Sequence, residues 1–298
     1  MQNLYNSACY NYALNIYMKK ILILCISLKD SKARQDNISH QIQALTQAVS
    51  DIQIDFQFFE AVYGKELPPE YIVFLDLRRK FSRQCEHALG PSEFGCFLSH
   101  MTLWQRLAQG NYAEYDRIII LEDDVIVNLN HITEKLTSLI TLNPDFAFLS
   151  GNTDPSRRRI RGFNSEDNLY FNLSGPKDLY TGAYAYSLTP QKAQFFIEKQ
   201  IKKLTYLDDW TYLLKSSNTT PYYYCFEHDD EMQSNIAGDR KIFMKKPNRF
   251  KKNYRKIRND LVSRIISLFL FKKIIRLSDF IAENKNSLNI SMHDQNKD

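Results

Sequence analysis

The sequence predicts an α/β fold, and three observations carry that prediction. Short apolar runs, notably residues 21–28 and 118–121, have the length and composition of buried strands. Segments with apolar residues at helical spacing lie between such runs. Strand and helix then alternate along the chain, the pattern of layered α/β proteins.

Residues 21–28 form the first buried strand. Residues 31–50 read as a helix with Ile38, Ile42, Leu45 and Val49 on its apolar face. Residues 52–62 alternate as a second strand, with Ile52, Ile54, Phe56 and Phe58 on one face. Pro68-Pro69 breaks the pattern. Gly90-Pro91-Ser92-Glu93 reads as a helix start, with Ser92 as the cap and Glu93 at the positive end. That helix runs to about 108 with Phe94, Phe97, Leu98, Met101, Trp104 and Leu107 as its stripe. A strand follows at 117–121, a helix at 131–141 and a strand at 145–149. Residues 151–178 read as loop, 184–188 as a strand, and Thr189-Pro190 opens a helix to about Gln200.

The chain has 298 residues, 44% of them hydrophobic, which is enough for a sizeable core. Its 18 Tyr and 19 Phe suit both a filled core and a carbohydrate or nucleotide binder. Five Cys without CxxC spacing read as reduced thiols, not as a disulfide framework or zinc site. The net charge of +5 is unevenly spread. Residues 1–239 carry 23 Lys+Arg against 29 Asp+Glu, and residues 240–298 carry 16 against 5. The tail therefore reads as basic and amphipathic. It has ten basic residues and no acid over 240–258, then an apolar stretch at 265–271, and suits an anionic membrane surface. The other reading of the tail is a C-terminal helix packed on the core. No nucleic-acid module accompanies the charge. No run reaches the ~18 apolar residues that span a bilayer. No small-residue cleavage site follows the first apolar run. Residues 1–17 read as a leader outside the fold with Met18 as an alternative start, 18–239 as the catalytic domain, and 240–298 as the tail.

Glu122-Asp123-Asp124 ends the apolar run at 118–121. Carboxylates at the end of a buried strand need a positive partner, for which a hard divalent cation is a natural one; by position alone the triplet reads equally as an acidic turn exposed to water. Strand alternation would turn Glu122 and Asp124 to one side, at the sheet edge where α/β proteins bind ligands. Asp208-Asp209 is a second acidic pair, able to act as a base or to cap the helix from Trp210. His228, in an acid-rich stretch, is a further metal ligand or part of a solvated face. Arg157-Arg158-Arg159 and Arg161 suit phosphate groups or a solvated loop. There is no Gly-x-Ser-x-Gly, no Walker loop and no dinucleotide fingerprint.

Glu93-Phe94-Gly95-Cys96-Phe97-Leu98-Ser99-His100 with Trp104, and Leu121-Glu122-Asp123-Asp124-Val125 some twenty residues later, resemble glycosyltransferase family 25. Its members assemble bacterial lipooligosaccharide and lipopolysaccharide. Ile26-Ser27-Leu28 with Arg34, Thr181-Gly182-Ala183-Tyr184 and Leu207-Asp208-Asp209 are similar as well, so the resemblance covers roughly 20–236. It implies a GT-A type fold, a Rossmann-like mixed sheet flanked by helices, and an inverting, metal-dependent transfer from a nucleotide sugar. It implies Mn²⁺ or Mg²⁺ on Glu122 and Asp124, to which His228 is the further candidate ligand read from the residues alone. The donor, a UDP-hexose carrying galactose or glucose, would meet Ser27, Leu28, Arg34, Glu93, Ser99, His100, Asp123, Gly182 and Tyr184. His100 is also readable as a structural histidine. Asp209 aligns with the base, with Asp208 as the fallback.

The implied acceptor is a lipooligosaccharide core, and the implied location is cytoplasmic, on the inner face of the bacterial inner membrane. A two-carboxylate glycosidase and a binding protein with an inert acidic site are the rival readings.

Overall fold

The computed structural model describes residues 18–80, 90–150, 160–174, 180, 182–214, 219–229 and 274–284. The first three strands are parallel. β1 (Lys19–Ser27) lies between β2 (Ile52–Glu60) and β3 (Arg117–Glu122). Near-continuous Ile and Leu in β1 and β3 fit strands covered on both faces. α1 (Lys32–Ala48) joins β1 to β2. β4 (Val125–Val127) leaves the acidic turn, and α4 (Ile132–Leu142) leads into β5 (Phe146–Ser150).

Past β3 the sheet becomes mixed. β8 (Ala185–Leu188) is antiparallel to both β3 and β5. β9 (Thr219–His228) runs parallel to β5 and antiparallel to β4 and to β7 (Phe171–Ser174). β6 (Arg161–Asn164) pairs with β7, and β10 (Ile275–Arg276) pairs with β6. The order among the described residues is β10-β6-β7-β9-β5-β8-β3-β1-β2. This is the mixed sheet that the resemblance implies.

Each face of the sheet has its own apolar core. α1 and α4 cover one face through Ile38, Ile42, Leu45, Leu136 and Leu139. α3 (Pro91–Ala108) and α5 (Pro190–Lys202) cover the other through Leu103, Trp104, Leu107 and Phe196. α2 (Pro69–Lys80) and α6 (Trp210–Leu213) complete the helices introduced here.

Several expectations need correction. α3 starts at Pro91 with Gly90 at the cap, so Ser92 lies inside the first turn. Glu93 accepts a hydrogen bond from the Gly90 N–H at 3.0 Å. Phe58 in β2 is 41% exposed and Phe59 is buried, because β2 is an edge strand whose far end loses its cover. Residues 161–164 and 171–174, expected as loop, are β6 and β7. Arg157–Arg159 lie outside the described residues.

The tail is not wholly separate from the catalytic domain. Residues 274–284 add β10 and a short helix to the sheet. Leu277 and Phe280 are fully buried, and the Phe280 ring packs against Phe171 and Tyr222 with centroids 5.5 and 6.1 Å apart. Asn130 also donates to the Asn284 carbonyl at 2.7 Å. Phe280→Ala should therefore destabilise the catalytic domain by about 3–5 kcal/mol. Urea unfolding measures this, and a change below about 1 kcal/mol would show that the segment carries no core packing. The remainder of 240–298 lies outside the described residues.

Candidate active site

The site forms where β1 and β3 end, the edge of an α/β sheet that offers free backbone groups and helix starts to a ligand. A cleft of about 1190 Å³ opens there. Ser27, Arg34, Asp124, Tyr184, Asp208 and His228 line it. That space is large enough for a small-molecule ligand.

The acidic triplet does not follow strand alternation. β3 stops at Glu122, and Asp123-Asp124 form the turn into β4. Each carboxylate consequently points to a different partner. Glu122 faces α3, with Oε1 3.5 Å from His100 Nε2 and 4.0 Å from Cys96 Sγ. Asp123 accepts from the Ser27 hydroxyl at 2.6 Å and pairs with Arg34 at 2.5 Å. Asp124 Oδ2 lies 3.5 Å from Arg34 and 3.6 Å from His228 Nε2. Its Oδ1 is buried without a hydrogen-bond partner. Burial pushes the Asp123 carboxyl up, and the Ser27 hydrogen bond and Arg34 charge oppose that. Arg34 thus supplies part of the counter-charge expected of a cation.

The orphaned Asp124 oxygen is the polar atom a divalent ion would satisfy. Asp124 offers it an oxygen donor suited to Mn²⁺ or Mg²⁺, and His228 an imidazole that Mn²⁺ takes more readily than Mg²⁺, so these residues fit Mn²⁺ better of the two implied metals. Glu122 does not join them as a three-ligand set among the described residues. The set that does come together is Cys96, His100 and Glu122.

The residues expected to meet the donor divide into cleft and scaffold. Ser27, Leu28, Arg34, Asp123, Gly182 and Tyr184 line the cleft. Gly182 holds φ at +92°, a left-handed conformation that favours glycine. Its N–H donates to Asp208 at 2.8 Å, and its carbonyl accepts from the Trp210 indole at 3.0 Å. The Tyr184 ring lies tilted against His228, with ring centroids 4.5 Å apart. Ser99 reaches the cleft wall, but its hydroxyl is occupied. It donates to the Gly95 carbonyl and accepts from the Val62 N–H. Glu93 also lines the cleft while capping α3.

His100 corrects the expectation of a donor contact. It is fully buried behind Glu122, with Nδ1 2.7 Å from the Tyr186 hydroxyl. Asp208 and Asp209 also differ from the expected order. Asp209 caps α6, accepting from the Tyr212 N–H at 3.1 Å, and lies outside the cleft wall. Asp208 lines the cleft.

Sequence reasoning did not single out Cys96, or the cleft residues Tyr63 and Lys65 that follow β2. Gly64 and Gly95 let this loop sit against α3. A Cβ on Gly64 would meet the Pro91 carbonyl oxygen at 1.8 Å. The Gly95-Cys96 step was visible in the sequence, but its partner lies more than thirty residues earlier.

Comparisons with known proteins identify the chain's relatives. The profile of Glycosyltransferase family 25 (LPS biosynthesis protein) matches residues 18–212. A glycosyltransferase of Acanthamoeba polyphaga mimivirus, R655, itself provisionally named, is 28% identical over 187 residues, 61% of this chain and 53% of the relative. Procollagen galactosyltransferase 1-B of Xenopus laevis is 28% identical over 106 residues, 35% of this chain and 16% of the relative. A glycosyltransferase 25 family member of Drosophila pseudoobscura pseudoobscura is 33% identical over 86 residues, 28% of this chain and 13% of the relative. The chain thus spans about half the length of the first relative and much less of the others. A solved glycosyltransferase involved in glycosylation of the major capsid of PBCV-1 aligns at a TM-score of 0.35 and 9% identity, covering 72% of this chain and 94% of that one. With the family profile matching residues 18–212, well over half of the chain, the chain belongs to glycosyltransferase family 25.

Proposed function

We propose that the chain transfers a hexose from a UDP-sugar to a lipopolysaccharide-type acceptor with inversion at the anomeric carbon. One observation carries this reading: an acidic turn with an unpartnered buried oxygen and a second carboxylate, Asp208, line one cleft. Arg34 and the Asp124–His228 pair stand on the donor side. A divalent ion held by Asp124 and His228 would offset charge on the departing diphosphate. Ser27 and Arg34 fix Asp123 in the cleft wall, where its carboxylate can meet donor hydroxyls. Asp208 takes the acceptor hydroxyl proton as the oxygen attacks the anomeric carbon and the bond to the diphosphate breaks. The galactosyltransferase name of one relative supports galactose as the hexose. The family's description supports the lipopolysaccharide acceptor.

A panel of nucleotide sugars with Mn²⁺, read as released UDP, tests the donor. Turnover with UDP-galactose or UDP-glucose alone is expected. Release of free sugar from oligosaccharide without any nucleotide donor would instead show a glycosidase.

The basic stretch 240–258 supports a location on an anionic leaflet of the cytoplasmic face, at about 1 kcal/mol per basic group. Replacing its ten Lys and Arg by Gln should abolish co-sedimentation with phosphatidylglycerol vesicles at low salt. Binding by the parent should weaken as salt rises, because exposed charges are screened beyond ~10 Å at 0.1 M. Equal sedimentation of both proteins would rule out an electrostatic anchor.

A further inference from the structure

We propose that Cys96, His100 and Glu122 form a binding site for a thiophilic divalent cation of the zinc class, set in the wall of the cleft. Cys96 and His100 lie four residues apart on α3, so both project from one helix face. β3 ends at Glu122 directly opposite that face. The three ligand atoms lie within 4.8 Å of one another, with Glu122 Oε1 at 3.5 Å from His100 Nε2 and 4.0 Å from Cys96 Sγ. A point equidistant from atoms so spaced is about 2.4 Å or less from each, within the tolerance of zinc–sulfur and zinc–nitrogen bonds.

A second observation is the histidine itself. His100 is fully buried, and its Nε2 makes no hydrogen bond although it is aimed at the cluster. Burying such an atom without a partner is unfavourable, and a metal ion would satisfy it. The other ring nitrogen, Nδ1, lies 2.7 Å from the Tyr186 hydroxyl, which also accepts from the Trp104 indole at 2.8 Å. A cation on Nε2 selects the tautomer in which Nδ1–H donates to Tyr186. This is the outer contact that usually orients a ligating histidine.

The donor set decides the metal. A thiolate favours zinc over Mg²⁺ or Mn²⁺, whereas Asp124 and His228 present the harder position. On binding, the Cys96 thiol releases its proton to solvent and the thiolate becomes the ligand. Cys96 and Glu122 line the cleft, giving the ion an entry path and leaving its fourth position open there. The ion ties α3 to the acidic turn and fixes Glu122 away from Asp124.

Full-length protein titrated with Co²⁺, a coloured stand-in for zinc, should develop a thiolate-to-cobalt charge-transfer band saturating at one equivalent. Zn²⁺ should displace it. Cys96→Ala should lose the band and weaken Zn²⁺ binding by at least about tenfold. Glu122→Gln should weaken binding but keep the band, and Asp124→Asn should leave both intact. Circular dichroism verifies that each variant is folded. No band in the parent protein, or a band surviving Cys96→Ala, would overturn the assignment. Loss of the band in folded Asp124→Asn would overturn it too, by placing the ion at the acidic turn. Cobalt binding is read without sugar transfer, so its outcome is separable from that of the UDP-release assay.

Discussion

Asp124→Asn should abolish metal-dependent sugar transfer and leave the fold intact. The side chain makes few structural contacts that the amide would lose. Its Oδ1 has no hydrogen-bond partner, and its Oδ2 stands 3.5 Å from Arg34 and 3.6 Å from His228. The backbone contact that shapes the turn, from the Asp229 N–H to the Asp124 carbonyl at 2.8 Å, does not involve the side chain. The substitution also removes one of three crowded negative charges. Under the proposed function it removes the anionic ligand for a cation that would face the leaving diphosphate, and turnover should fall on the order of 10²–10³-fold. Released UDP measured against Mn²⁺ and Mg²⁺ concentration is the assay, with thermal unfolding as the control. Unchanged turnover with unchanged metal dependence would remove Asp124 from the metal site. Asp123→Asn should act differently. It loses charge-assisted bonds to Ser27 and Arg34, so about 1.5–3 kcal/mol of stability should go while the metal dependence persists.

The parts of the fold that were legible in the sequence are those with one dominant signal. β1 and β3 are near-continuous Ile and Leu, and helices α1 and α3 have clean apolar spacing. β9 escaped notice because its Tyr-rich run, buried against both neighbouring strands, shows neither alternation nor an aliphatic block. The short β6 and β7 carry Gly and Asn at positions that only sheet pairing makes extended. At 274–284 the tail packs on the core, the second of its two readings, and local charge could not choose between them because it says nothing about where Leu277 and Phe280 pack.

The site shows the same division. The acidic triplet announced itself through its position after β3. Its internal geometry did not, because the backbone turns at Asp123 instead of continuing extended. Arg34 as the partner of Asp123 could not be read from residues 89 apart in sequence. The cluster of Cys96, His100 and Glu122 depends on α3 meeting the end of β3, a tertiary fact.

Asp208→Asn should cut turnover by about 10²–10⁴-fold with little change in donor affinity, and Asp209→Asn should do neither. The two acids are neighbours in sequence, yet the chain separates their tasks. Asp209 satisfies the Tyr212 N–H at the start of α6. Asparagine caps a helix as well as aspartate does, so Asp209→Asn should cost only a few tenths of a kcal/mol. Asp208 lines the cleft and accepts from the Gly182 N–H at 2.8 Å. An asparagine there keeps an amide oxygen for that bond, so the left-handed turn at Gly182 stays in place. It cannot take a proton from an acceptor hydroxyl at neutral pH. Loss of turnover without loss of folding would therefore report the base itself. Steady-state kinetics with donor and acceptor varied separately make the distinction, because a missing base lowers kcat while the KM for UDP-sugar holds. If Asp209→Asn carries the loss and Asp208→Asn does not, the capping residue is the base and the assignment reverses. If both variants turn over normally, the proton goes to another group in the cleft.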